Sequence, residues 1–286
     1  MTRYRLPLGW CVLVAIGLVA GSAQAAGTLD RIRERHAVVF AYRDGAAPFS
    51  FKDSTGVVRG YSVDLCARIA AALERRLGIA PLAIEWMPVN ADTRIDAVAS
   101  GRADAECGTT TISLSRMERV DFSVPIFVDG GTLLVPGKAA VKRLADLKGR
   151  RIAVISGTTT ERALRAALDV AEAPATLVAV AKPEEGAEAV RAGRADAFAG
   201  DRLVLIQLLT RDEPAAFRIL DDDFSFEPYG IVVRRDDADF RLVVNRALVD
   251  AYKKGDIDAI FQRWLAPLGK PSPLLNAMFY LNALPE

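Results

Sequence analysis

The chain has 286 residues, with 37 Lys or Arg, 36 Asp or Glu, one His, a formal charge of +1 and 51% hydrophobic residues. So much apolar mass supports a packed core and excludes a disordered tail, and the near-neutral balance argues against a nucleic-acid binder, which needs a basic excess over the phosphates. The single histidine, His36, excludes a His-rich metal site and would carry any Ser–His–Asp triad alone; no Gly-x4-Gly-Lys-[Ser/Thr] run is present to cradle a nucleotide phosphate. The length fits one large or two medium domains.

Arg3 and Arg5 precede an apolar run over 10–20, and small residues follow to Ala23-Gln24-Ala25. This is the pattern of a secretion signal, residues 1–25, cut after Ala25; the run is too short for a comfortable membrane span. Cleavage would leave 35 basic against 36 acidic residues and two cysteines, Cys66 and Cys107. An even pair in an oxidising compartment reads as a disulfide, with two buried thiols as the alternative. Closing a loop of about 40 residues would contribute roughly 3–4 kcal/mol by chain entropy.

Apolar residues over 38–42 predict a buried strand ending at Arg43 and an Asp44-Gly45 turn. Ser62 opens a helical pattern through Leu65, Ile69 and Leu73 that Gly78 stops. A second strand over 82–86, a short helix over 95–100 and a third strand over 104–107 follow, the last running into Thr109-Thr110-Thr111. This β-α-β-α-β order predicts an α/β fold with a mostly parallel sheet. The order then repeats, with strands over 151–155, 177–180 and 195–199 and helices over 159–168 and 184–192. The peptide Gly-Arg-Ala-Asp-Ala occurs at 101–105 and again at 193–197, each time between a short helix and a short strand, which predicts two similar lobes. A strand over 229–233, a long helix over 239–252 and a short helix over 257–265 complete the pattern. The apolar, Pro-punctuated stretch from 271 reads as an extended tail.

Two such lobes turn the carboxyl ends of their strands toward a common cleft, where open parallel sheets bind ligands. Arg43, Arg94, Thr109, Thr111, Arg116, Thr158 and Asp201 all fall at those ends or at the adjoining helix starts. Thr158 with Glu161 forms a capping-box pattern, and a helix start at a strand end is an anion site. The inventory suits an amino acid. Arg116, the Thr109–Thr111 turn and the Thr158 helix start would hold an α-carboxylate, and Asp201 an α-ammonium. Arg43 and Arg94 remain for an acidic side chain, which a planar guanidinium fork matches. The plainer readings are a surface arginine in each case and a simple N-cap for Thr158. Phe49 and Phe51 read as core and His36 as surface.

The chain resembles the periplasmic amino-acid-binding proteins of ABC importers (solute-binding family 3), and is most similar to their glutamate/aspartate-binding branch. The resemblance is carried in order by Pro48-Phe49-Ser50-Phe51, Gly60-Tyr61-Ser62-Val63-Asp64-Leu65, Glu106-Cys107-Gly108-Thr109-Thr110-Thr111 with Arg116, and Val120-Asp121-Phe122-Ser123. Asp146-Leu147-Lys148-Gly149, Ser156-Gly157-Thr158-Thr159-Thr160-Glu161, Ala197-Phe198 before Asp201, and Tyr229-Gly230 continue it. It implies a bilobed fold: two parallel-sheet lobes joined by a two-segment hinge near 125–131 and 226–232, with the ligand in the inter-lobe cleft. Lobe 1 would be 26–127 with 230–286, and lobe 2 the inserted 128–229. By position, Arg116 would clamp the α-carboxylate with Thr111 and the Thr158 backbone, Asp201 would hold the ammonium, and Arg43 and Arg94 would face the side chain beside Thr109.

The resemblance further implies a periplasmic monomer that delivers its amino acid to a membrane ABC permease, with no cofactor, metal or nucleic acid. One departure bears on the ligand. The acidic-ligand branch often has a His after an Ala-Lys pair, whereas Ala181-Lys182 here is followed by Pro183-Glu184-Glu185. A receptor for glutamine or another neutral amino acid therefore stays open. So does a cyclohexadienyl-type dehydratase on the same fold, for which Glu106 or Glu184 would be the acid or base.

Overall fold

The computed structural model describes residues 27–211 and 216–285; the expected signal segment, 1–25, lies outside them. Helix α1 (Thr28–Arg35) leads into β1 (Ala37–Arg43), every residue of which is buried. A small ribbon of β2 (Phe51–Lys52) and β3 (Val58–Arg59) turns the chain into α2 (Tyr61–Leu77), which ends at Gly78 in the left-handed region, φ 68°. Then come β4 (Ala83–Val89), α3 (Arg94–Ala99), β5 (Ala105–Cys107), α4 (Leu114–Met117) and β6 (Val120–Phe122). The chain crosses to a second unit through β7 (Phe127–Asp129). That unit holds β8 (Gly131–Pro136), β9 (Arg151–Ile155), α5 (Thr159–Val170), β10 (Thr176–Val180), α6 (Pro183–Arg191), β11 (Ala197–Asp201), α7 (Arg202–Arg211) and β12 (Phe217–Ile219). It returns through β13 (Glu227–Tyr229) to β14 (Val232–Arg234), α8 (Ala238–Lys254), α9 (Asp256–Trp264) and α10 (Pro273–Asn282).

The two sheets share one plan. Their orders are β4-β1-β5-β14-β6 and β10-β9-β11-β8-β12. Three strands are parallel in each, but β14 runs against β5 and β6, and β8 against β11 and β12. The mostly parallel sheets expected from the β-α-β order are thus mixed. The cause is the crossing: parallel strands end at the cleft, whereas β8 and β14 follow the hinge strands and start there.

The duplicated pentapeptide does the same job in both units. In the first, the Val39 N–H donates to Asp104 Oδ2 at 2.9 Å while the Asp104 N–H donates to the Val39 carbonyl at 2.8 Å. In the second, the Arg151 N–H donates to Asp196 Oδ2 at 2.8 Å and the Asp196 N–H to the Arg151 carbonyl at 2.7 Å. Each aspartate so splices the start of one parallel strand to the next.

Strands β7 and β13 pair antiparallel, Tyr229 opposite Phe127 and Glu227 opposite Asp129. Phe49, Tyr61, Phe127 and Tyr229 pack around this crossing with ring centroids 5.0–6.2 Å apart, edge to face except for the stacked pair Phe127 and Tyr229, and the Tyr61 hydroxyl donates to the Ile126 carbonyl at 2.7 Å. Phe49 is fully buried, as core. A disulfide joins Cys66 of α2 to Cys107 of β5, 41 residues apart.

The expected extended tail is instead the helix α10. Ser272 caps it by accepting the Leu275 N–H at 3.1 Å, and Pro273 occupies its first turn, where a missing N–H costs nothing. Leu275, Met278 and Phe279 are buried, and the Phe279 ring lies 5.2 Å from Tyr252 of α8. Among the described residues no helix is long and apolar enough to cross a membrane.

Candidate functional site

The strand ends meet at one pocket, about 480 Å³ counting its open mouth. Arg43 ends β1, Arg94 opens α3, Thr109 and Thr111 follow β5, Thr158 caps α5 and Asp201 ends β11. All six line the pocket, together with Ala46, Thr159, Thr160 and Pro183, which sequence reasoning had not singled out for it. Arg116, on α4, does not line it; its Nη1 donates to the Thr111 carbonyl at 2.7 Å and so fixes the turn from behind.

Three arginines crowd the first-unit side of the pocket. Arg94 is 2% exposed and Arg43 and Arg116 are 8% exposed each. Arg43 Nη1 donates to Thr109 Oγ1 at 3.1 Å, and Arg94 Nη1 to the Ala91 carbonyl at 2.8 Å, while the buried Arg94 Nε has no partner. Burial, and then repulsion from Arg43 and Arg116, pull the Arg94 guanidinium down to about 9. Burial also lowers Arg116, with Arg162 adding repulsion. Beside them lies the fully buried Glu106 side chain, with the Thr110 hydroxyl among its polar neighbours. Burial pushes its carboxyl up, opposed by the attraction of Arg94, by the Thr110 hydroxyl and by Arg43 and Arg116. A desolvated cation cluster of this kind is suited to an anion, because in a low-dielectric cleft only a paired charge is tolerated cheaply.

The other side carries the acid. Asp201 Oδ1 accepts the Thr160 hydroxyl at 2.9 Å and Oδ2 the Tyr229 hydroxyl at 2.7 Å, which fixes the carboxylate at the pocket wall. Behind Tyr229, Asp129 Oδ2 lies 3.3 Å from the same hydroxyl; burial and the nearby Asp201 push the Asp129 carboxyl up to about 8. The Thr158 hydroxyl accepts the Glu161 N–H at 3.1 Å, so its cap role is real and coexists with its place on the pocket wall. The Gly157 N–H donates to Glu161 Oε2 at 2.9 Å, completing a local cap.

Sequence reasoning missed Glu227. It is 1% exposed; its Oε2 accepts the Thr111 hydroxyl at 2.5 Å and the Thr159 hydroxyl at 2.8 Å, and Oε1 the Ser225 hydroxyl at 2.8 Å. Thr111 and Thr159 themselves approach to 3.0 Å across the cleft. Lys182 Nζ approaches Asp44 Oδ2 to 3.9 Å at a neighbouring opening, so the two units meet there as well. The available signal was an acid opening a short strand within the expected crossing at 226–232. Among the described residues no group of three or more His, Cys, Asp or Glu is spaced to hold a metal.

The chain has known relatives. The chain is 34% identical over 240 residues to an L-glutamate/L-aspartate-binding protein of Pseudomonas aeruginosa, covering 83% of this chain and 80% of the relative. It is 30% identical over 279 residues to a glutamate/aspartate import solute-binding protein of Salmonella typhimurium, covering 94% and 92%. Among solved structures it is similar to an ancestral amino-acid-binding protein, a precursor of cyclohexadienyl dehydratase, at a TM-score of 0.72 and 30% identity over 84% of this chain and 99% of that one. Residues 38–267, which include both sheets and the hinge ribbon, match the model of bacterial extracellular solute-binding proteins, family 3, and the chain belongs to that family.

Proposed function

We propose that this chain is a periplasmic receptor that captures an L-amino acid with an acidic side chain, glutamate or aspartate, and hands it to an ABC import permease. The observation that carries the reading is the pocket itself: buried arginines on one wall and a fixed carboxylate, Asp201, on the other. In this reading the Thr111 turn and the Thr158 helix start hold the α-carboxylate, and Arg116, seated behind that turn, supplies the charge that attracts it. Asp201 holds the ammonium, and Arg43 and Arg94 pair the side-chain carboxylate beside Thr109. Residues 26–127 with 230–286 form one lobe and 128–229 the other. Residues 1–25 direct secretion, and the mature receptor works as a monomer.

The names of the relatives support the same ligand class. A dehydratase needs an acid or base that reaches the substrate. Neither Glu106 nor Glu184 lines the pocket, and Glu184 lies at the neighbouring opening with Asp44 and Lys182, which favours a receptor. The test is calorimetric titration of the mature protein, stripped of carried-over ligand by unfolding and refolding. Tight binding of L-glutamate with weak binding of L-glutamine is expected. Tight binding of glutamine alone would overturn the charge argument, and turnover of a cyclohexadienyl substrate would overturn the receptor reading.

A further inference from the structure

We propose that Glu227 is a positioning residue that latches the cleft shut by gathering the hydroxyls of Thr111 and Thr159 from opposite lobes. The proposal deepens the receptor reading and rests on it.

The three residues come from three parts of the chain. Thr111 follows β5 in the first lobe, where the Ile112 N–H donates to the Pro228 carbonyl at 2.7 Å and the Gly230 N–H to the Thr110 carbonyl at 3.1 Å. Thr159 opens α5 in the second lobe, and Glu227 opens the crossing strand β13. Ser225, which donates to Glu227 Oε1, itself accepts the Gly131 N–H at 3.0 Å, tying the carboxylate to the other crossing as well. Whichever lobe Glu227 travels with, one of its two threonine bonds must break when the lobes part.

The Thr111 and Thr159 hydroxyls lie within hydrogen-bond distance of Glu227 Oε2 and of each other, so their two protons are shared among three contacts centred on the carboxylate. Donation to a carboxylate is of the stronger, charge-assisted kind. A contact that exists only in the closed form raises the closed population with or without ligand. It then multiplies the affinity for every ligand by one factor, since apparent affinity scales with the fraction of competent protein. In this respect Glu227 differs from Arg43 and Arg94, whose assigned role is to discriminate.

Thr159→Val removes the hydroxyl but keeps the size and the backbone N–H; Glu227→Gln removes the charge. Dissociation constants and dissociation rates would be measured for glutamate, aspartate and glutamine. Lobe separation would be followed without ligand by energy transfer between labels at the exposed Arg76 and Asp169. We expect about a tenfold loss of affinity in Thr159→Val. The loss should lie in faster dissociation, with unchanged ratios among ligands and a wider ligand-free separation. Unchanged affinity and separation would overturn the latch, as would altered ligand ratios at an unchanged separation. If Glu227→Gln does not fold, Thr159→Val decides alone. If the wild type binds none of the amino acids, the receptor reading fails, while the ligand-free separation still tests the latch.

Discussion

Replacing Arg94 by glutamine should make the ligand-free protein more stable and the receptor less selective. Arg94 is 2% exposed, and burial with the repulsion of Arg43 and Arg116 pulls its guanidinium from its ordinary value down to about 9. Holding the charge there costs the folded state roughly 4–5 kcal/mol. The sign follows from the direction: a base whose folded pKa is depressed destabilises the fold at neutral pH, below both values, and the cost fades only as pH rises through 9. Glutamine removes that cost and gives up the bond to the Ala91 carbonyl, worth about 1 kcal/mol. The net gain should therefore be a few kcal/mol at most and should raise the melting temperature. Binding moves the other way. Losing the partner of a buried carboxylate costs about 2–5 kcal/mol, so glutamate affinity should fall by roughly 30-fold or more. Glutamine, with no charge to pair, should change by less than about threefold, so the ratio of the two affinities collapses. Titration of both ligands, with thermal melts of the ligand-free protein, measures each part. Equal losses for glutamate and glutamine would refute the side-chain role, and a lowered melting temperature would refute the strain argument.

Arg116→Ala should abolish binding of every amino acid, because it removes the cation behind the α-carboxylate subsite and the support of the Thr111 carbonyl; micromolar binding retained by calorimetry would contradict this. Asp129 has a folded-state pKa raised to about 8, so the stability it confers when protonated is lost as pH rises from about 4 to 8. Asp129→Asn should accordingly be more stable than wild type at pH 8 by ~1–3 kcal/mol in urea melts and similar near pH 4; curves that run parallel with pH would reject the assignment. Replacing Cys66 and Cys107 together by alanine should lower stability by roughly 3–4 kcal/mol. Identical urea midpoints for that variant and the wild type would show that the 41-residue loop is restrained by packing alone.

Much of this molecule is written in short segments. The apolar run of β1, the strand β9, the capped start of α5 and the pentapeptide repeat are local patterns, and each forms where its pattern stands. Strand ends are local too, so Arg43, Arg94, Thr109, Thr111, Thr158 and Asp201 could be named from the chain and do meet in one pocket. The segments that escaped are those whose partners are distant. The strand β12 is three residues long and exists because β8 pairs with it. Helix α10 carried a local signal in Ser272-Pro273, but its apolar composition matched no helical face until Tyr252 and β7 were in place to receive it. The direction of β8 and β14 follows from the side on which the hinge delivers them, which no periodicity records. Glu227 lies 116 residues from Thr111 and 68 from Thr159, so their bonds arise only once both lobes and the hinge have folded. Periodicity and end-of-strand chemistry belong to a segment and survive in the sequence. A hydrogen bond among three distant side chains depends on distances that packing alone sets.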